Sequence, residues 1–123
     1  MNSKAFMVVI IFLGLFALIF GLNKFFSFMP MPEMSEAAGA YFGALMSTKT
    51  LTLVAIVEIV AGLALIFNKY GALLAIILMS VGVNAVLFHA TLDMAGMPAA
   101  AVFLILNIVV LIGYKDKYKP MLK

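Results

Sequence analysis

The chain has 123 residues, of which 67% are hydrophobic and 11% charged. A soluble domain this short buries only about 60% of its chain surface, so the composition excludes an ordinary soluble enzyme and makes lipid the expected solvent. The lack of cysteine excludes disulfides, thiolate metal sites and iron–sulfur clusters within the chain, and a net charge of +3, carried by eight lysines and no arginine at the ends of apolar runs, fits lipid headgroups better than nucleic acid.

The first apolar run, Ala5 to Leu22, holds no charge. It is longer than a signal-peptide core, and Gly21-Leu22-Asn23-Lys24-Phe25 is not a small-x-small cleavage site, so a retained helix is expected. Phe25 to Pro32 is aromatic, Met-rich and ends in Pro-x-Pro. From Glu33 to Met46, Met34, Ala38, Tyr41, Phe42, Leu45 and Met46 recur at helical spacing, which predicts a short amphipathic helix over 33–46 in the first extracytoplasmic loop. Glu33 and Glu36 fall in its first turn, where the helix dipole favours acids. The second run, Leu51 to Phe67, is broken only by Glu58. Asn68-Lys69-Tyr70-Gly71 is a tight turn into the third run, Ala72 to Ala90, which carries Ser80, Asn84 and His89. A short loop from Asp93 leads to Pro98, suited to a first helical turn, and the fourth run continues to Tyr114 with Asn107 inside it.

Each run has 17 to 19 residues, roughly 26–29 Å as helix against a hydrocarbon core of about 30 Å. Backbone groups in lipid must pair within their own segment, and no short alternating strands suggest a barrel. The fold class predicted is all-α: an integral-membrane four-helix bundle, one domain over 1–123, with helices at about 5–22, 51–67, 72–90 and 98–114. Four spans place Lys4, Lys69, Lys115, Lys117, Lys119 and Lys123 on one side and Lys24 and Lys49 on the other. That lysine bias predicts cytoplasmic N- and C-termini.

Ionisable and amide side chains in lipid are costly and face the protein interior. In this topology Glu58 lies about 10 Å below the outer end of its helix, Asn84 about 9 Å and Asn107 about 13 Å. Lys24 and His89 lie near the outer rim, and the inner half has no comparable group. On the first helix Gly14, Ala17, Gly21 and Lys24 share one stripe; on the second, Ala55, Glu58, Ala61, Gly62 and Leu65 do. Small residues allow close helix contact in membranes, so Lys24 and Glu58 are expected to meet as an ion pair. Asn84 and His89 lie about 140° apart on their helix and would flank a pocket. Ala100, Phe103, Asn107 and Tyr114 form the stripe of the fourth helix.

These residues also have plain structural readings. Glu58 can be a structural acid paired with Lys24, Asn84 and Asn107 can be interhelical hydrogen-bond links, and His89 can bond a loop carbonyl or Asp93. One histidine excludes bis-His haem in a monomer, and no ligand spacing suggests a metal. No phosphate loop, dinucleotide fingerprint or serine triad is present. A Glu–Lys–His–Asn layer lined by Phe and Met suits an amphipathic ligand such as a quinone headgroup, an isoprenoid or sterol-like lipid, or a carbonyl compound, with Glu58 or His89 moving a proton.

The order of several short motifs resembles the bacterial DoxX family over nearly the whole chain. Gly21-Leu22-Asn23-Lys24-Phe25 closes the first helix and Pro30-Met31-Pro32-Glu33-Met34-Ser35 follows it. The second helix carries Glu58-Ile59-Val60-Ala61-Gly62, and the third ends Asn84-Ala85-Val86-Leu87-Phe88-His89. Asp93 and Gly96-Met97-Pro98 precede the fourth, which runs into Tyr114-Lys115-Asp116. The resemblance implies a bacterial inner-membrane protein of four helices; the family's name comes from a membrane subunit of an archaeal thiosulfate:quinone oxidoreductase. It carries over only Lys24, Glu58, Asn84, His89 and Asn107 as candidate pocket residues. The first expectation is therefore a quinone-linked redox-associated membrane subunit, with Glu58 and His89 as the catalytic proton-handling pair and Lys24, Asn84 and Asn107 binding ligand. It would contact membrane lipids and a redox partner protein, bind no nucleic acid or metal, and have small-residue stripes compatible with a homodimer. Two alternatives stand beside it: a non-enzymatic module that binds lipid or a partner through Met31–Met46, and a cofactor-free lipid-modifying enzyme using Glu58 and His89.

Overall fold

The computed structural model describes residues 2–29 and 34–122. Among them there is no strand. The elements are α1 (Ser3–Phe26), α2 (Glu36–Ser47), α3 (Thr50–Ile66), α4 (Gly71–Leu92), a 3-10 turn at Met94–Gly96, α5 (Met97–Gly113), α6 (Lys115–Tyr118) and a closing 3-10 turn at Lys119–Leu122. The stretches Ser3–Phe26, Gly71–Leu92 and Met94–Gly113 are each long and apolar enough to cross a membrane. α2 and α3 meet at an 80° bend and make a fourth such stretch if taken together.

Local chemistry sets the ends of these helices. The Asn2 side chain accepts from the Ala5 N–H at 2.7 Å, capping α1. α1 ends where Ser27 turns left-handed at φ 50° and its N–H returns to the Asn23 carbonyl. The Asn23 side chain then accepts from the Met29 N–H at 2.8 Å. α1 thus outruns the expected 5–22 at both ends, from the Asn2 cap to the turn at Ser27, where the Asn23 carbonyl and side chain accept the N–H groups of Ser27 and Met29. The expected amphipathic helix begins later than residue 33: Ser35 caps α2 by accepting from the Ala38 N–H at 3.2 Å, with Glu36 in the first turn. Glu33 and the Pro30–Pro32 segment lie outside the described residues, as does Lys123. Lys49, at φ 64°, makes the sharp corner between α2 and α3. The tight turn expected at Asn68–Gly71 is present, with Asn68 and Tyr70 both left-handed, so α3 and α4 run antiparallel. Pro98 sits in the first turn of α5, as its missing N–H favours.

α1 packs on α3, α3 on α4, α4 on α5 and α5 on α1, so the contacts close a circuit. The buried residues of α1 (Ile10, Leu13, Gly14, Ala17, Gly21) and of α3 (Ala55, Glu58, Ala61, Gly62, Leu65) include the small-residue stripes read from the sequence. A Cβ added at Gly62 would stand 2.7 Å from the Gly14 carbonyl oxygen, and one at Gly14 would stand 2.9 Å from that of Gly62, so the two backbones are in direct contact. α4 and α5 approach through Gly82, which faces the Phe103 ring. The core holds Leu13, Leu65, Leu78, Phe103, Val110 and Tyr114. Most large apolar side chains on the opposite faces are exposed, among them Phe12, Ile19, Leu53, Val60, Ile76, Val83, Ile105 and Ile112.

At the end holding both termini, the Tyr118 hydroxyl donates to the Ala72 carbonyl at 2.8 Å, tying the C-terminal turns to the start of α4. Burial, with the neighbouring Tyr114, pushes this phenol up to about 12, so it stays a donor at any physiological pH.

The Gly14–Gly62 contact leaves no room for a methyl group. Gly62→Ala is expected to cost about 1–3 kcal/mol through overpacking. Gly43→Ala, in α2 where no atom lies within 4 Å of the added Cβ, is expected to leave stability unchanged or slightly raised. Thermal unfolding of the two variants in detergent checks the difference.

Candidate functional site

The helix termini opposite the chain ends form the second end of the molecule, over which α2 folds. Here the helices part and enclose a cavity of about 340 Å³. That lies at the lower end of the roughly 300–1,000 Å³ typical of small-molecule sites. α1 contributes Phe16, Phe20 and Lys24; α3 contributes Leu51, Val54 and Glu58; α4 contributes Ser80, Asn84, Phe88 and His89; α5 contributes Phe103; and α2 contributes Tyr41, Phe42 and Leu45. Four of the five candidate residues, Lys24, Glu58, Asn84 and His89, therefore line one space.

The expected ion pair is present: Lys24 Nζ lies 2.6 Å from Glu58 Oε1. Glu58 is 4% exposed, so nearly all of its contact with water is gone, and the ammonium is what balances its charge. The pair follows from the α1–α3 contact. Gly21, one turn before Lys24, abuts Ala55 and the Cβ of Glu58 and brings the two side chains level. On its other side Lys24 lines a smaller pocket of about 200 Å³ with Phe25, Lys49 and Thr52.

His89 is held by its own loop. Nδ1 lies 3.0 Å from the Asp93 carbonyl oxygen and 3.2 Å from Asp93 Oδ2, so both partners foreseen for this ring are engaged at once. With the proton on Nδ1, the neutral ring keeps Nε2 as an acceptor. The ring lies against Gly96, where any Cβ would collide with it. Asn84 donates from Nδ2 to the Tyr41 hydroxyl at 3.2 Å. Tyr41 in turn stacks on Phe88 at 5.0 Å between centroids, and Phe42 meets the same ring edge-on at 5.1 Å.

Asn107 stands apart from this group. It is fully buried, does not line the cavity, and donates from Nδ2 to the Ala75 carbonyl of α4 at 3.0 Å. Its Oδ1 is buried without a hydrogen-bond partner among the described residues. The geometry matches an interhelical link in the middle of the α4–α5 contact.

The lining expected from Phe and Met is made by Phe16, Phe20, Phe42, Phe88 and Phe103 without methionine, and Tyr41, read only as part of the amphipathic helix, joins it. The signal for Tyr41 was the spacing of Ala38, Tyr41 and Leu45, which marks the face of α2 turned toward the other helices. No candidate metal cluster of three or more His, Asp or Glu side chains occurs among the described residues.

A buried carboxylate stripped of its ammonium is costly, whereas replacing both partners by apolar side chains often restores stability. Lys24→Met alone is expected to lose about 3 kcal/mol, and Lys24→Met with Glu58→Leu to recover most of it. Unfolding midpoints of the two singles and the double in one detergent give the coupling. Comparison of the chain with protein-family models, curated proteins and solved structures found no match, so the reading of the site rests on its geometry.

Proposed function

We propose that the chain is a DoxX-like inner-membrane protein, a four-helix transmembrane bundle that binds a quinone-type ring in the cavity beneath α2 and works with a redox partner. The observation that carries this reading is the convergence of Lys24, Glu58, Asn84 and His89, from three different helices, on one aromatic-walled cavity. A flat ring suits walls made of Phe16, Phe20, Phe88 and Tyr41. Lys24 and Asn84 supply donors for carbonyl oxygens, and His89 Nε2 supplies an acceptor for a hydroxyl. Glu58 and His89 are the groups able to hold and pass protons as the ring takes up two electrons and two protons. The belt of exposed apolar side chains on α1, α3, α4 and α5 supports immersion in hydrocarbon.

The lysine distribution supports cytoplasmic termini. Lys4, Lys69, Lys115, Lys117 and Lys119 stand at the terminal end, against Lys24 and Lys49 at the α2 end. The chain has no cysteine of its own, so single cysteines report topology directly. Lys117→Cys is expected to react with an impermeant maleimide only after the cells are permeabilised, and Thr48→Cys in intact cells. The reverse pattern would invert the topology.

A second reading, a docking module for a partner membrane protein, is favoured by Phe26, 72% exposed, with Phe25, Phe28 and Met46 exposed beside it at the α2 end. Ligand retention separates the two. Protein purified in mild detergent is expected to carry about one quinone per chain by mass spectrometry. Glu58→Gln removes the carboxylate charge but keeps an oxygen that accepts from the partly exposed Lys24 ammonium, and is expected to weaken retention about tenfold or more while the fold, checked by its melting temperature, is kept. Bulk phospholipid alone, unchanged by the variant, would leave the docking reading standing; a turnover defect without a bound quinone would favour a cofactor-free lipid-modifying enzyme.

A further inference from the structure

Packing between helices closes several sides of the cavity. α2 roofs it with Tyr41 and Phe42 packed on Phe88. α1 and α3 touch backbone to backbone, Gly82 seats Phe103 between α4 and α5, and Phe16 meets Phe103 at 5.5 Å to close α1 against α5. The boundary between α3 and α4 differs. Ser80 and Asn84 line the cavity and are nevertheless exposed. On a helix of 3.6 residues per turn they lie about 40° apart, on the face of α4 turned away from the α5 contact at Gly82. Val54, half-buried, lines the same space from α3, so the cavity reaches the outside between these residues of the two helices.

The flanks of this opening are apolar. Leu53, next to Val54 on α3, and Ile77 and Leu87, three residues before Ser80 and three after Asn84 on α4, are exposed. An opening set in such a belt faces hydrocarbon. Ser80 needs no water there, because its hydroxyl donates back to the Ile77 carbonyl at 2.8 Å. Asn84 ties the rim to the roof through Tyr41.

We propose that the cavity is loaded sideways from the bilayer through the α3–α4 gap, and that its ligand is membrane-borne, with a polar ring head that passes Asn84 and a hydrocarbon tail that remains in the lipid between the two helices. The inference rests on the reading of the cavity as a ligand site and narrows the ligand to a tailed class. A space of about 340 Å³ holds a substituted ring, and a tail of several isoprene units must leave by the open side.

The test closes the gap covalently in the cysteine-free chain. The double variant V57C/I77C, at two positions outside the cavity lining, is bridged with a reducible bis-methanethiosulfonate and reconstituted beside the unmodified chain in phosphatidylcholine vesicles containing decylubiquinone. Quinone retained per protein is measured before crosslinking, after crosslinking and after reduction, with the melting temperature as a check on folding. The expected result is near-stoichiometric retention in the reduced protein, at least tenfold slower loading in the crosslinked protein, and recovery on reduction. The tailless dimethoxy-methyl-benzoquinone, added from water, is expected to bind at least tenfold more weakly. Unchanged loading after crosslinking would overturn the side entrance while leaving the quinone site intact. Equal binding of the tailless ring would overturn the tailed class. No retention of either quinone by folded, reduced protein would remove the site itself and this inference with it.

Discussion

The backbone contact between Gly14 and Gly62 is the constraint on which the arrangement depends. Neither residue has a Cβ, so α1 and α3 approach until main-chain atoms touch. At that separation, Gly21 reaches Ala55 and Glu58 two turns further along, and the next turn of α1 delivers Lys24 to the carboxylate. Bulkier side chains along either stripe would hold the helices apart and leave the acid without its cation. The backbone contact of α1 with α3 and the Lys24–Glu58 ion pair are thus consequences of one geometry.

The two ends of the molecule are built on different principles. Toward the termini the space between helices is filled by Leu13, Leu65, Leu78, Val110 and Tyr114. Toward α2 the helices part, and the filler is replaced by a ring of aromatic edges around polar tips. The stretch from Ser35 to Lys49 makes this possible. The 80° bend at Lys49 lays α2 across the opening instead of continuing α3, and Tyr41 and Phe42 then use Phe88 as their support. A straight continuation would have lengthened α3 and left the cavity unroofed.

Polar groups in this setting act through their pairing. Lys24 and Glu58 neutralise one another, His89 is oriented by the main chain and carboxylate of Asp93, and Asn84 is held by Tyr41. Each keeps capacity to spare: the ammonium has further donors, the imidazole its second nitrogen and the amide its oxygen. Groups that are positioned but not saturated are what a binding site requires. Asn107 shows the contrast, since its amide is enclosed between α4 and α5 with no path to the cavity.

The all-helical character, the approximate helix limits, the inward stripes of α1 and α3 and the Lys24–Glu58 pair were legible in the sequence. They depend on composition and on spacing along single helices, which a linear chain displays directly. The tertiary structure decided what depends on distances between helices: that Asn107 turns to Ala75 while Asn84 turns to the cavity, that Tyr41 and four phenylalanines from α1, α4 and α5 share one wall, and that α2 roofs the site. Asparagines at similar computed depth look alike in sequence, because depth along a helix says nothing about which neighbour the side chain meets. That choice is made by rotation of each helix in its packing, and rotation is set by all the contacts at once.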